Sequence, residues 1–158
     1  MGRESRRGSR KRALDILYEA DLKDEPIPIV LARHLAAPGV DPAPLSEFAT
    51  ALVRGVHRSR EEIDQVIQAH ARDWKLSRMP IIDRNILRIA LFELLHSDVP
   101  KAVAIDEAVE LAKWLSTEDS GRFINGLLAR AAQDRPAGET EAPDAEGAGD
   151  SGAAGAGD

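Results

Sequence analysis

Hydrophobic residues recur along most of this chain at intervals of three and four, which is the spacing of one face of an α-helix. Within residues 45–57, for example, Phe48, Leu52 and Val56 stand at i, i+4 and i+8. No segment shows the strict alternation of a half-buried strand. The pattern predicts seven helices, at about residues 11–23, 27–37, 45–57, 60–74, 80–96, 103–115 and 120–132. We therefore predict an all-α fold, a compact helical bundle with short connections.

Polar residues and prolines between these segments predict where the helices begin and end. Ser59-Arg60-Glu61-Glu62 has the pattern of a capping box and would open the fourth helix. Pro80 suits the first turn of the fifth helix, and Val99-Pro100 ends it. Residues 116–120, which read Ser-Thr-Glu-Asp-Ser, supply an end for the sixth helix and an N-cap for the seventh.

The fifth helix should be the central and most buried one, because it is apolar nearly all round. Arg84 and Arg88 lie four residues apart on this helix, and Asp83 precedes them. Charges on so apolar a helix are expected to line up on its one exposed strip, where they could bind a partner. The alternative is that they form ion pairs with neighbouring helices.

Charge is distributed unevenly along the chain, whose formal net charge is −6. Residues 1–12 contain six Arg or Lys residues against Glu4, whereas residues 136–158 contain six acidic residues and no basic one. The tail has no large apolar residue, so we predict that it is disordered. The expected organisation is a basic N-terminal arm at 1–10, a helical domain at 11–134 and an acidic tail at 135–158.

The composition excludes several classes of protein. There is no cysteine, which excludes a disulfide framework, thiolate zinc sites and cysteine nucleophiles. No apolar run approaches the length of a membrane span, and the basic N-terminus lacks the apolar stretch of a signal peptide. We expect a cytoplasmic protein that makes no contact with a membrane.

Patterns that support catalysis or metal binding are missing from the sequence. The acidic cluster Asp106, Glu107 and Glu110 is explained better by a solvated, charge-balanced helix face than by an acid–base pair. The serines have no nucleophile-elbow setting. No two histidines share metal-ligand spacing on one helix face, the four being His34, His57, His70 and His96. We therefore expect no enzymatic activity, no metal and no cofactor.

The basic N-terminus is the first feature that could bind RNA. Arg7, Lys11, Leu14 and Tyr18 follow i, i+4, i+7 and i+11, so a helix that starts before Arg7 would place cations and an aromatic ring on one side. Gly8-Ser9 could instead start the helix later and leave the first arginines on a flexible arm. Either form suits phosphates, and the tyrosine could stack on an unpaired base. The alternative is a solubilising terminus with a core tyrosine.

The start of the seventh helix is another candidate. Asp119, Ser120 and Gly121 would present free backbone N–H groups, which form a general anion site. Arg122 adds positive charge and Phe123 adds an aromatic ring. An Asp cap would partly fill the anion site, and a lone Phe is more often a core residue than a base-stacking one.

Four motifs in the C-terminal half, together with the Arg-rich N-terminus, resemble the NusB family of bacterial transcription antitermination factors. The N-terminal arm leads into ALDILYEAD, and the later motifs are ILRIALFE (86–93), SDVP (97–100), VAIDEAVELAK (103–113) and STEDSGRFINGLLAR (116–130). The resemblance covers roughly residues 5–132. It implies two three-helix subdomains plus a short extra helix.

The resemblance also implies a function and partners. Members of this family pair with the ribosomal protein NusE, and the pair binds the boxA element of nascent RNA in ribosomal RNA leaders. There it joins other Nus factors on RNA polymerase and suppresses premature termination. The RNA-contacting positions that carry over by motif are Arg6, Arg7, Arg10, Tyr18, Asp83, Arg88, Asp119, Arg122 and Phe123.

Two departures and two alternatives accompany this expectation. Gly8-Ser9 interrupts the denser Arg run of the family, and the acidic tail lies outside the family pattern. Some similar proteins form homodimers that cover the RNA surface. A related helical domain occurs fused to ribosomal RNA cytosine methyltransferases, but such an enzyme needs strands and catalytic cysteines. The remaining alternative is a purely protein-binding helical adaptor without sequence-specific RNA recognition.

Overall fold

A computed structural model describes residues 5–36, 44–71 and 73–134 of the chain. These residues form seven α-helices and a short 3-10 turn at Leu76–Arg78, with no strand among them. The all-α prediction is therefore confirmed. The helices are α1 (Arg6–Lys23), α2 (Ile27–Ala36), α3 (Glu47–Arg58), α4 (Arg60–His70), α5 (Ile81–His96), α6 (Lys101–Leu115) and α7 (Glu118–Gln133). The predicted acidic tail lies outside the described residues.

Helix α1 begins five residues earlier than the periodicity indicated. Ser5 is its N-cap, and the Ser5 hydroxyl accepts a hydrogen bond from the Gly8 N–H at 3.0 Å. Ser9 is buried and its hydroxyl lies 2.7 Å from that of Ser46. The expected boundary at residue 10 thus falls inside a helix. Of the two alternatives for Gly8-Ser9, the structure has the early helix start.

The start of α4 differs from the prediction. Ser59 stands at the predicted N-cap, but its side chain makes no capping hydrogen bond, so the predicted capping box is wrong. Ser59 also ends α3, where its N–H donates to the Gly55 carbonyl, and its φ of −105° and ψ of 15° are not those of an extended N-cap. The helix ends at His70, four residues before the predicted end.

Helix α5 is the central element, as predicted. It packs against α1, α3, α4, α6 and α7. Most of its residues are buried, among them Ile86, Leu87 and Leu91. Helices α1–α3 pack on one another and α5–α7 do likewise, while the short α4 lies against α3, α5 and α7. This is the arrangement of two three-helix subdomains with an extra helix.

Gly55 allows α3 to approach α5 closely. A Cβ atom at this position would lie 2.2 Å from two ring carbons of Phe92. Since real Cβ contacts are never so short, any larger residue would displace the phenylalanine.

The prediction of an exposed charged strip on α5 is wrong. Asp83, Asn85, Arg88 and Glu93 are all buried polar residues of this helix. The alternative interpretation, ion pairing with neighbouring helices, is the one observed, because a buried charge needs a partner to offset its lost hydration.

Asp21 of α1 is the centre of a partly buried ion-pair network. Its carboxylate accepts hydrogen bonds from Arg84 at 2.6 and 2.7 Å, from Asn85 at 2.9 Å and from Arg88 at 3.1 Å. Arg88 also donates to Asp64 of α4 at 2.9 and 3.2 Å. Burial alone would raise the pKa of Asp21, but the hydrogen bonds and the two positive charges outweigh it and lower this pKa to about 2. The network ties α1, α4 and α5 together.

Candidate nucleic-acid interface

The first turn of α1 carries two exposed arginines. The guanidinium of Arg6 lies over the ring of Phe48 in α3, with its central carbon 4.8 Å from the ring centroid. This cation–π contact orients the exposed side chain at the surface.

Arg7, the second of these arginines, is engaged within the chain by a carboxylate of α6. Its Nε and Nη2 donate to the two carboxylate oxygens of Glu107 at 2.9 and 3.0 Å. The hydrogen bond and charge of each partner raise the pKa of Arg7 and lower the pKa of Glu107. The Arg7 side chain is nevertheless 60% exposed. The carboxylate therefore occupies the position that a phosphate would take on this guanidinium.

Arg10 has a different environment from its two neighbours. Its guanidinium forms a bidentate pair with Glu93 of α5 at 2.7 and 2.8 Å. The two side chains are only 5% and 2% exposed. The pair anchors the start of α1 to the central helix, so Arg10 supports the arginines beside it and does not itself reach the surface.

Helices α1 and α5 run antiparallel, because Arg10 meets the C-terminal half of α5 and Asp21 meets its first turns. Tyr18, which is half-buried, therefore lies near the end of α1 that faces the start of α5. Eleven residues of helix separate it from Arg7, a span of about 16 Å. The start of α7 lies at this same end of α5, because the Ser120 hydroxyl donates to Asp83 at 2.7 Å.

The start of α7 has fewer free backbone N–H groups for an anion than the sequence predicted. The N-cap is Thr117, whose side chain accepts from the Ser120 N–H, and the Gly121 N–H donates to the Thr117 carbonyl. The predicted Asp cap is therefore wrong. Asp119 instead projects outward, 92% exposed, 3.5 Å from the 78% exposed guanidinium of Arg122.

Asp83 and Arg88 lie beneath this surface. Asp83 is fully buried, and its Oδ1 has no hydrogen-bond partner among the described residues. Arg88 is committed to Asp21 and Asp64. Neither presents its charge to solvent.

Phe123 lies at the surface against a tryptophan that the sequence analysis did not single out. Its ring centroid is 4.9 Å from that of Trp74, in an edge-to-face arrangement, and both side chains are half-buried. The helical spacing of α7 indicated Phe123, whereas Trp74 stands in a turn without periodicity.

The family model that matches this chain is that of the NusB family, and the match covers residues 7–133. The chain belongs to the NusB family. It is 51% identical over 130 residues to the transcription antitermination protein NusB of Saccharopolyspora erythraea, which covers 81% of this chain and 86% of that protein. It is 47% identical to NusB of Salinispora arenicola over 82% of this chain and 96% of that one.

Solved structures of NusB proteins have the same fold. NusB of T. maritima superposes with a TM-score of 0.74 and 34% identity, covering 85% of this chain and 94% of that chain. A second similar structure is that of the antitermination factors NusB and NusE in complex with dsRNA, with a TM-score of 0.70 and 28% identity, covering 82% and 97% of the two chains.

Two further observations concern what the described parts of this NusB-family chain do not contain. Among those residues, no His, Cys, Asp or Glu side chains are grouped so that they could hold a metal ion. No described helix is long and apolar enough to cross a bilayer.

The sequence did not reveal that Phe48, Trp74 and Glu107 are the partners of candidate site residues. The pairs Arg6–Phe48 and Arg7–Glu107 join residues 42 and 100 positions apart. A local pattern cannot reveal such partners, although an aromatic residue or carboxylate is the partner that a guanidinium prefers.

Proposed function

We propose that this chain is a transcription antitermination factor that binds boxA-type single-stranded RNA in nascent ribosomal RNA transcripts. It would do so in the cytoplasm, paired with the ribosomal protein NusE, and would suppress premature termination with other Nus factors on RNA polymerase. The proposal includes no enzymatic step. The observation that carries it is the contact of the exposed Arg6 on α1 with the ring of Phe48 on α3, together with the exposed Arg122 and the half-buried Phe123 at the start of α7.

The charge distribution supports a specific RNA-binding protein over a nonspecific one. The chain as a whole is acidic, with a sequence pI of about 5.3. Its exposed Arg6 nevertheless lies over the ring of Phe48, and its exposed Arg122 directly precedes the half-buried Phe123 in α7. Positive charge beside ring faces suits single-stranded RNA, whose phosphates and unstacked bases can be bound together. The similar proteins, which include a transcription antitermination protein and a complex of NusB and NusE with dsRNA, point the same way.

The nine candidate residues divide into two groups by burial. We propose that the exposed or half-exposed ones contact RNA directly, namely Arg6, Arg7, Tyr18, Asp119, Arg122 and Phe123. Arg10, Asp83 and Arg88 are buried, so their proposed part is to hold α1, α5 and the start of α7 in position.

Fluorescence anisotropy with a labelled boxA-type RNA and a scrambled RNA tests this function. The titrations are run with and without the NusE-type partner and across a salt series. We expect selective binding to boxA that tightens with the partner. Arg7→Ala should weaken it about tenfold, as for a charged hydrogen bond. Phe123→Ala should weaken it about 5- to 150-fold, as for one stacked base.

Arg58→Ala serves as the matched control for these variants. Arg58 is an exposed arginine in the last turn of α3, at the end opposite Phe48. Its removal changes the net charge as Arg7→Ala does but should leave the affinity for RNA unchanged.

Since a homodimer would cover the RNA surface, each titration is repeated over a range of protein concentrations, with sedimentation to report the oligomeric state. Equal weak binding to both RNAs would instead favour the protein-binding adaptor.

A further inference from the structure

A groove opens on the surface beside Phe123, and its other lining residues are not among the RNA-contacting positions that the family motifs designate. It lies between the end of α4, the turn around Trp74 and the outer face of α7. Its volume of about 920 Å³ lies within the range of roughly 300–1,000 Å³ that is typical of ligand sites. Its walls include the two aromatic rings and the polar side chains His70, Asp73, Arg130 and Asp134.

The outer face of α7 leads directly from the candidate RNA-binding residues into this groove. Asp119, Phe123, Gly126 and Arg130 follow i, i+4, i+7 and i+11, so they share one side of the helix. The distance from Phe123 to Arg130 along the axis is about 10 Å. An RNA strand that contacts the start of α7 would therefore meet the groove next.

Gly126 leaves this face open in its middle. A Cβ at this position would meet only the end of the flexible Arg130 side chain, at 3.2 Å, and no backbone. Packing thus does not require the glycine, although glycine within a helix costs about 1 kcal/mol relative to alanine. The missing side chain leaves the helix face between Phe123 and Arg130 uncovered.

The polar groups of the groove suit a neutral ring with mixed donors and acceptors. Arg130 donates to the His70 carbonyl at 3.1 Å, which holds its guanidinium at the groove. His70 Nε2 lies 3.1 Å from the Asp134 carboxylate, and Asp73 adds a second carboxylate. Two carboxylates would repel a phosphate, but they can accept hydrogen bonds from the amino groups of a base while the guanidinium donates to its carbonyl oxygens.

We propose that the Trp74–Phe123 groove binds an unpaired nucleobase of the RNA that contacts the start of α7. Trp74 supplies a stacking surface beside that of Phe123, and Gly126 leaves the face of α7 next to them without a side chain. This inference rests on the proposed function and extends it to a residue outside the family's RNA-contacting motifs. The chain contains two tryptophans, which makes the site directly observable.

Single-tryptophan variants test the groove by their fluorescence. In Trp114→Leu, Trp74 is the remaining tryptophan, and saturating boxA-type RNA should quench its emission. In Trp74→Leu, the remaining Trp114 lies 66% exposed on α6, and its emission should not change with RNA. Trp74→Leu should also weaken RNA binding about 5- to 150-fold, the range for one stacked base, while Trp114→Leu should bind as the wild type does.

A second variant protects the test against loss of folding, since Trp74 also packs against the core. Gly126→Leu adds a side chain to the groove face, keeps both tryptophans and has a more favourable helix propensity. It should weaken RNA binding at least fivefold with an unchanged circular dichroism spectrum. Wild-type affinity in Gly126→Leu would overturn the groove proposal.

The remaining outcomes separate this inference from the proposed function. RNA binding by Trp114→Leu without any change in its emission would overturn the groove alone. A change in that emission with the NusE-type partner, and none with RNA, would overturn it in favour of a protein contact. No RNA binding by the wild-type protein, with or without the partner, would overturn both proposals.

Discussion

At the scale of single residues, the contact between Arg7 and Glu107 determines how available the exposed Arg7 guanidinium is to a phosphate. The guanidinium that would bind a phosphate is already paired with a carboxylate in the same geometry. RNA binding at this residue is then an exchange of one anion for another, and its gain is smaller than that of an unpaired arginine.

Removing the competing carboxylate should therefore strengthen RNA binding. We expect Glu107→Gln to raise the affinity for boxA-type RNA about two- to fivefold, the range for one exposed ion pair. Anisotropy titrations measure the change. Glu110→Gln is the matched control, because it removes the same charge three residues away without a bond to Arg7. An equal gain in both variants would show a general charge effect, and a gain that persists in an Arg7→Ala background would contradict the exchange.

The contact between Gly55 and Phe92 gives a second prediction at this scale. Gly55→Ala should lower the free energy of unfolding by about 1–3 kcal/mol, because the added methyl must displace the ring. Urea denaturation measures the effect. The control is Gly126→Ala, which has room for its methyl and should raise stability by up to about 1 kcal/mol. Equal stability changes in the two variants would contradict this account of the close approach.

At the scale of elements, hydrophobic periodicity predicted each described helix. It could not predict where some helices begin and end, or which residues pair with their buried charges. Helix α5 was recognisable as central because so many of its residues are apolar. Its charged residues were wrongly predicted to lie on an exposed strip. The helical wheel of α5 carries no information on their partners Asp21 and Asp64, which lie on other helices. The early start of α1 depends on the Ser5 cap and on Ser46, which no local apolar spacing records.

The Asp21 network should make stability depend on pH in acid. Its pKa is about 2 in the folded chain and about 3.8 in the unfolded chain, so the folded state favours the ionised form. The resulting stabilisation, about 2 kcal/mol, is fully present above pH 4 and is lost as the pH falls through 2. Urea denaturation at pH 7, 4 and 2.5 should show Asp21→Asn less stable than the wild type at pH 7.

The difference between these two proteins should shrink as the pH falls toward 2. Asp15→Asn is the control, because Asp15 forms only an exposed pair with Lys11 on the same helix. Its stability should stay within about 0.5 kcal/mol of the wild type at pH 7. A constant difference between Asp21→Asn and the wild type across this pH range would rule out the titration of Asp21 as its cause.

At the scale of the whole molecule, the fold class and the family could be predicted from the sequence. The candidate interface could be described only with the structure. The motifs designated nine residues, and only the structure divides them into exposed or half-buried and buried ones. Trp74 was predicted only as the end of the fourth helix, because its significance comes from the Phe123 ring that it touches and not from helical spacing.

The division by burial predicts the salt dependence of RNA binding. Three exposed arginines near phosphates should give a slope of about −2 for the logarithm of the association constant against that of salt concentration. Arg122→Ala should reduce this slope by about 0.7, whereas Arg58→Ala should leave it unchanged. Anisotropy titrations at several salt concentrations provide the slopes. A slope near zero for the wild type would contradict phosphate contacts by these residues.

The buried pair of Arg10 and Glu93 has a consequence for when an RNA can be bound. Because it fixes the first turns of α1, the arginines there stand at set positions before any ligand arrives. The conformational adjustment then falls on the RNA. A strand that has just emerged and has not yet folded can adapt freely, whereas a hairpin must first be opened. Under the proposed function, the rigid start of α1 therefore favours binding of the transcript in the interval between its synthesis and its folding.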